Sequence, residues 1–136
     1  EVASENIMGI KENNKIDYQS LPVCVFTYPE IAYVGDLKGR TGEFPLAASA
    51  KANCLGDTRG LIKVFEKEGK LVGTYIIAPH AGEIIGEATL AIKMKLSIKD
   101  ISNTIHAHPT LPESFSDAVR DINNQAIHLP SKTLQC

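Results

Sequence analysis

Residues 60–78 read Gly-Leu-Ile-Lys-Val-Phe-Glu-Lys-Glu-Gly-Lys-Leu-Val-Gly-Thr-Tyr-Ile-Ile-Ala, and this stretch decides the architecture. Two runs, Gly60 to Glu66 and Lys70 to Ala78, are rich in Val, Ile, Leu, Phe and Tyr and flank Lys67-Glu68-Gly69. Branched and aromatic side chains suit a pleated, half-buried surface. A short polar link containing glycine between two such runs predicts an antiparallel hairpin.

C-terminal to the hairpin the apolar period changes. From Ala81 to Lys95, Ile84, Ala88, Ala91 and Ile92 fall on one helical face, with Glu83 and Glu87 read as a solvated face. Ser97 then reads as the N-cap of a short helix over Ile98 to Ile105, with Asp100 as an acidic residue in its first turn. Pro109 disfavours helix at His108, so His106 to Thr110 is expected to be a loop. Leu111 to Ala126 reads as the last helix, with Phe115, Ala118, Val119 and Ile122 at helical spacing.

N-terminal to the hairpin the elements are shorter. Glu1 to Lys11 reads as the end of a helix, broken by Asn13-Asn14-Lys15. Val23 to Thr27 reads as a buried strand bounded by Pro22 and Pro29, and Ile31 to Val34 as a second extended piece ended by Gly35. Asp36 to Glu43, with Gly39 and Gly42, reads as a turn, Phe44 to Ala48 as a strand, and Ser49 to Leu55 as a helical turn. Strands followed by a helical C-terminal third predict an α+β fold, an antiparallel sheet with helices packed on one face.

The 136 residues suit one domain able to bury a real core. A net charge of −2 argues against a nucleic-acid or membrane-surface role, both of which favour basic patches. Cys24, Cys54 and Cys136 are too far apart to form a CxxC-type redox pair and read as free thiols in a reducing, cytoplasmic setting. Cys136 falls on an expected C-terminal tail, 131–136. No GxGxxG follows a strand, so the sequence carries no dinucleotide fingerprint.

The segment with chemical content is His106-Ala107-His108-Pro109-Thr110-Leu111-Pro112-Glu113. Two prolines reduce the entropy lost when such a loop orders. An imidazole exchanges protons near neutral pH, and a carboxylate on one ring nitrogen fixes the tautomer and leaves the other nitrogen free. His108 and Glu113 can form such a pair if the loop folds back. The same spacing makes Thr110 to Glu113 a capping box, with Thr110 as N-cap and Glu113 at the third helical position. One carboxylate can serve both roles. In an extended segment His106 and His108 point the same way, as a two-ligand metal clamp requires, but the spacing places no third ligand.

His106-Ala107-His108-Pro109-Thr110-Leu111, with Glu113 one residue further on, resembles the signature of the lipoamide dehydrogenases within the pyridine nucleotide–disulfide oxidoreductase family. The likeness extends through Ile16-Asp17-Tyr18, Thr27-Tyr28-Pro29-Glu30-Ile31-Ala32, Phe44 to Ser49, Ala81 to Ala88 and Ala126-Ile127-His128, in the family's order. It implies an interface (dimerisation) domain over 15–130, with 1–14 the end of a helix left from a flavin-binding domain. It implies a homodimeric flavoprotein that uses FAD, NAD and a redox-active disulfide to oxidise dihydrolipoamide. The implied partners are the lipoyl group of an acyltransferase subunit and that subunit's peripheral-subunit-binding domain. The catalytic residues it implies are His108, which exchanges protons at the partner subunit's disulfide, and Glu113, which orients it across a cis His108–Pro109 bond. The glycine-rich nucleotide motifs and the cysteine pair are absent from this chain, so it is expected to bind no cofactor and to be inactive alone. A non-catalytic docking module, or the equivalent domain of another disulfide reductase, is the alternative. Two departures from the family pattern stand out: the helix usual between the Val-Gly and Phe-Pro motifs is missing at 36–43, and Tyr28 stands where many members carry histidine, read here as an interface packing position.

Overall fold

The computed structural model describes residues 1–10 and 15–130. The helix break expected at Asn13-Asn14 and the tail bearing Cys136 lie outside the described residues. The hairpin forms as expected, from β4 (Leu61–Lys67) and β5 (Lys70–Ala78). Glu68 and Gly69 close it at φ 52° and 77°, a two-residue turn with the twist that antiparallel strands prefer.

Around this hairpin lie β1 (Val23–Val25), β2 (Glu30–Gly35) and β3 (Arg40–Pro45). They make a five-stranded sheet in the order β1-β2-β5-β4-β3. Every pairing is antiparallel. Ala32, Val34, Phe44, Ile62, Val64, Thr74, Ile76 and Ala78 alternate onto one face and are buried. The helices α3 (Ala81–Lys93) and α5 (Glu113–Asp121) cover that face, α3 over β2 and β5, α5 over β3 and β4. Ile84, Ile85, Ala88 and Ala91 from α3 and Phe115, Ala118 and Val119 from α5 complete the core. Each large apolar side chain removed from water there contributes about 1.5–3 kcal/mol. The α+β arrangement with helices on one face is therefore the observed one.

Three local expectations are corrected. The first strand is an edge strand, not a buried one: Val23 and Cys24 are half-buried and Val25 is exposed. β3 starts at Arg40, inside the stretch read as a turn, and ends at Pro45, after which Leu46–Ala48 form a 3-10 turn instead of strand. Its glycine is demanded by packing: a Cβ at Gly42 would overlap the Ala118 carbonyl oxygen of α5. The last helix is also shorter than its periodicity suggested, spanning Glu113–Asp121.

No helix joins β2 to β3. They are separated by β5 and β4, about 14 Å at the usual strand spacing. The five Cα steps from Gly35 to Arg40 reach about 17 Å when extended. An extended link crosses the turn end of the hairpin, held by the Asp36 amide on the Val72 carbonyl (2.7 Å) and by a Lys67–Asp36 ion pair (2.6 Å).

The helical third is stitched to the same hairpin. The Leu71 amide donates to Leu96 and the Ile98 amide to Gly69. This docks the start of α4 (Ile98–Asn103), where Ser97 and Asp100 form a reciprocal capping box. Two six-residue helices complete the fold: α1 (Val2–Ile7), which buries none of its residues, and α2 (Ala50–Leu55), capped by the Ser49 side chain.

Candidate functional site

The loop between α4 and α5 carries the histidines. The cap at Ser97 fixes where α4 begins, and the Thr104 hydroxyl, donating to the Asp100 carbonyl at 2.9 Å, closes its end. The Thr110 hydroxyl donates to the Ala107 carbonyl at 2.7 Å, which tightens the turn around the cis His108–Pro109 bond. Pro112 already has helical φ and ψ and leads into α5.

Glu113 uses both of its oxygens on this loop. Oε1 lies 3.0 Å from His108 Nδ1 and Oε2 accepts from the Thr110 amide at 2.8 Å. The sequence left orientation and capping open, and one carboxylate does both. The cap is only half the expected box, because the Thr110 hydroxyl is turned to Ala107 and caps no helix amide. Burial pushes the Glu113 carboxyl up, but the Thr110 amide and the His108 ring outweigh it and hold the carboxyl below its usual range. A carboxylate only accepts, so His108 Nδ1 carries the proton and donates it. Nε2 of a neutral ring then holds a lone pair. The His108 side chain is 62% exposed, so that lone pair is accessible to a molecule outside this chain. The pair can accept a proton at Nε2 and stabilise the resulting imidazolium through Glu113.

His106 takes a different direction. Its Nε2 faces Glu87 Oε1 and Oε2 at 3.0 and 3.2 Å, and its Nδ1 faces the Thr104 carbonyl at 3.1 Å. The two loop imidazoles therefore address different carboxylates and form no shared clamp. Among the described residues no group of three His, Cys, Asp or Glu converges to hold a metal. Glu87 is thus not part of a merely solvated face. Sequence reading missed this contact because the partners are nineteen positions apart with α4 between them, and no local spacing marks it.

A third imidazole pair was also missed. Asp117, buried on α5, accepts from His128 Nδ1 at 2.6 Å and from the Ile127 and His128 amides. It pins the segment after the helix against α5. A shallow cavity of about 240 Å³ opens behind the loop, lined in part by His106, Glu113, Asp117, Arg120 and His128. Arg120 closes its far side by donating to the Ser102 carbonyl. Tyr28, between β1 and β2, is exposed. Its hydroxyl donates to Asp57 at 2.5 Å, while Arg59 grips Asp57 and stacks on the Tyr28 ring at 4.5 Å.

The described residues do not fit a flavin or nicotinamide dinucleotide. Such groups sit where a parallel strand feeds a helix N-terminus. Here every strand pairing is antiparallel, and the Gly82 amide at the start of α3 already donates to Glu30 at 2.9 Å.

Comparison with known proteins gives a consistent picture. The family model described as pyridine nucleotide-disulphide oxidoreductase, dimerisation domain, matches residues 21–119. A dihydrolipoyl dehydrogenase of Chlamydia pneumoniae is 37% identical over 97% of the chain and 31% of its own length. One from Thermus scotoductus is 40% identical over 94% of the chain and 30% of its own length. Among solved structures, LpdA of Mycobacterium tuberculosis superposes with a TM-score of 0.76 at 26% identity, over 87% of this chain and 28% of that one. The chain therefore spans about three-tenths of the length of these relatives.

Proposed function

The chain belongs to the pyridine nucleotide-disulphide oxidoreductase dimerisation-domain family, and from that premise we propose that it pairs two subunits of a dihydrolipoamide dehydrogenase and supplies a proton carrier to the partner subunit's site. The carrier is His108, held by Glu113. The electron carriers, FAD and NAD, and the redox-active disulfide belong to the parts of the longer relatives that this chain does not span.

The observation that carries this reading is the 3.0 Å contact between His108 Nδ1 and Glu113, because a carboxylate acceptor there requires the proton on Nδ1. A thiol is a poor nucleophile until it loses its proton. With Nδ1 already donating, Nε2 would take the proton from one thiol of dihydrolipoamide, and the thiolate so formed would attack one sulfur of the disulfide, making a mixed disulfide and releasing the other sulfur as a thiolate. The imidazolium left behind faces the Glu113 carboxylate, which stabilises it until the proton is returned.

The test is His108→Gln in the full-length enzyme, assayed by oxidation of dihydrolipoamide with NAD. The expected result is a fall in kcat of about a hundredfold or more, the usual contribution of a positioned general base. An unchanged rate would overturn the reading and leave the chain as a pairing module alone.

A further inference from the structure

We infer that His106, bridging to Glu87, is a positioning residue that fixes the loop on which His108 acts. The inference rests on the proton-carrier reading of His108 and extends it to two residues outside the His108–Glu113 pair.

From Asn103 to Pro109 every residue is exposed except His106. Ile105 on one side of it is 96% exposed, whereas the His106 side chain keeps 10% of its surface. Between the end of α4 and Thr110, His106 is thus the one side chain that turns inward. It meets α3, a thirteen-residue helix packed across the sheet, through Glu87. Its other nitrogen meets the Thr104 carbonyl, two residues back along the loop. Both ring nitrogens face oxygen acceptors, so an imidazolium donates to both and cross-links the loop to α3 and to itself, whereas a neutral ring with its proton on Nε2 keeps the tie to α3 alone. Arg120, Glu113, Asp117 and His128 share the cavity behind it. Glu113 reaches the loop from α5, beyond Pro112, and holds Thr110 and His108.

The loop is therefore tied at two points: at its far end by Glu113 to α5, and at its near end by His106 to α3. His108 lies between them. With the near tie cut, the ring of His108 remains in reach of Glu113 but swings with the loop, and Nε2 spends less time where a thiol can meet it. A misplacement of about 1 Å in a reacting group can cost about a hundredfold in rate. His106 touches no reacting atom and acts through the loop alone.

The experiment uses the full-length enzyme with His106→Leu, His106→Gln and Glu87→Leu, and His108→Gln as reference. Leucine neither donates at position 106 nor accepts at position 87, whereas glutamine at 106 places an amide donor near Nε2 and keeps the bond to Glu87. His106→Leu and Glu87→Leu are expected to lower kcat about tenfold and to change KM for dihydrolipoamide less than twofold. His106→Gln is expected to recover most of the loss. A second reading comes from ¹⁵N spectra of the imidazoles: the Nδ1–H signal of His108 should broaden in His106→Leu and sharpen again in His106→Gln. This measurement needs no turnover. If His108→Gln is harmless, the proton-carrier reading falls. If His108→Gln is severe but His106→Leu leaves both kcat and the His108 signal unchanged, only the positioning role is overturned. A loss in His106→Leu that glutamine does not restore overturns it as well.

Discussion

Replacing Glu113 with glutamine keeps its length and removes its charge, which makes its contribution measurable against pH. The Glu113 carboxyl is pushed up by burial and drawn down more strongly by the Thr110 amide and the His108 ring, so it ionises below its usual range in the fold. Ionised Glu113 therefore stabilises the fold at any pH above its unfolded value, and that contribution fades as pH falls through the lower folded value. Hydrogen bonds to a charged group are each worth about 1.5–3 kcal/mol when buried. With Glu113 partly open to solvent, about 1 kcal/mol separates the wild-type chain from Glu113→Gln at neutral pH. In urea unfolding the difference should hold above the usual carboxylate range and shrink as pH falls below it, as Glu113 takes up a proton in the fold and comes to resemble the amide. A difference that persists in acid would mean that the carboxylate's charge is not what holds the loop. Glu113 was legible in the sequence because its partner lies five residues away, across two prolines that limit where the chain can go. Glu87 was not, because its partner is brought to it by the packing of α3 against a loop that follows another helix.

At the scale of elements, the same contrast separates what periodicity reveals from what packing decides. The hairpin of β4 and β5 and the buried face of α3 follow from alternation and from helical spacing, and both were read directly. β3 was half hidden because Gly39 and Gly42 look like chain breakers. In the fold Gly42 is the place where β3 passes beneath α5, whose Ala118 carbonyl leaves no room for a Cβ. The same closeness lets the Glu43 amide reach the Asp121 carboxylate at 3.0 Å. β1 looked like a core strand by composition, yet it has a partner on one side only, and composition does not reveal which strands end a sheet. The reading of Gly42 has a direct consequence. Gly42→Val should destabilise the chain by about 1–3 kcal/mol, the cost of overpacking a tight contact, seen as a lower urea midpoint with an unchanged slope. A neutral result would show that β3 and α5 can separate freely, and would remove the reason for glycine at this position.

For the molecule as a whole, the question is why a domain with a complete core leaves apolar side chains in water. Leu90 on the outer surface of α3 and Met94 just past its end are 61% and 63% exposed, and Ile105 on the histidine loop is almost fully exposed. Scattered exposed apolar residues are ordinary, and a dimerisation domain must also keep some for its partner. Ile105 distinguishes the two cases. It contributes almost nothing to packing within its own chain, so changing it leaves the fold intact. It also adjoins the loop that the proposed chemistry presses against a second subunit, so changing it should weaken pairing. Full burial of an isoleucine side chain is worth about 1.5–3 kcal/mol, which corresponds to about a tenfold to hundredfold change in a dissociation constant. Ile105→Asp is therefore expected to raise the dimer dissociation constant by at least tenfold in sedimentation equilibrium and to leave the urea midpoint of the dissociated chain unchanged. If the dissociation constant does not move, the histidine loop lies away from the subunit boundary, and a proton carrier on that loop has no partner site to serve.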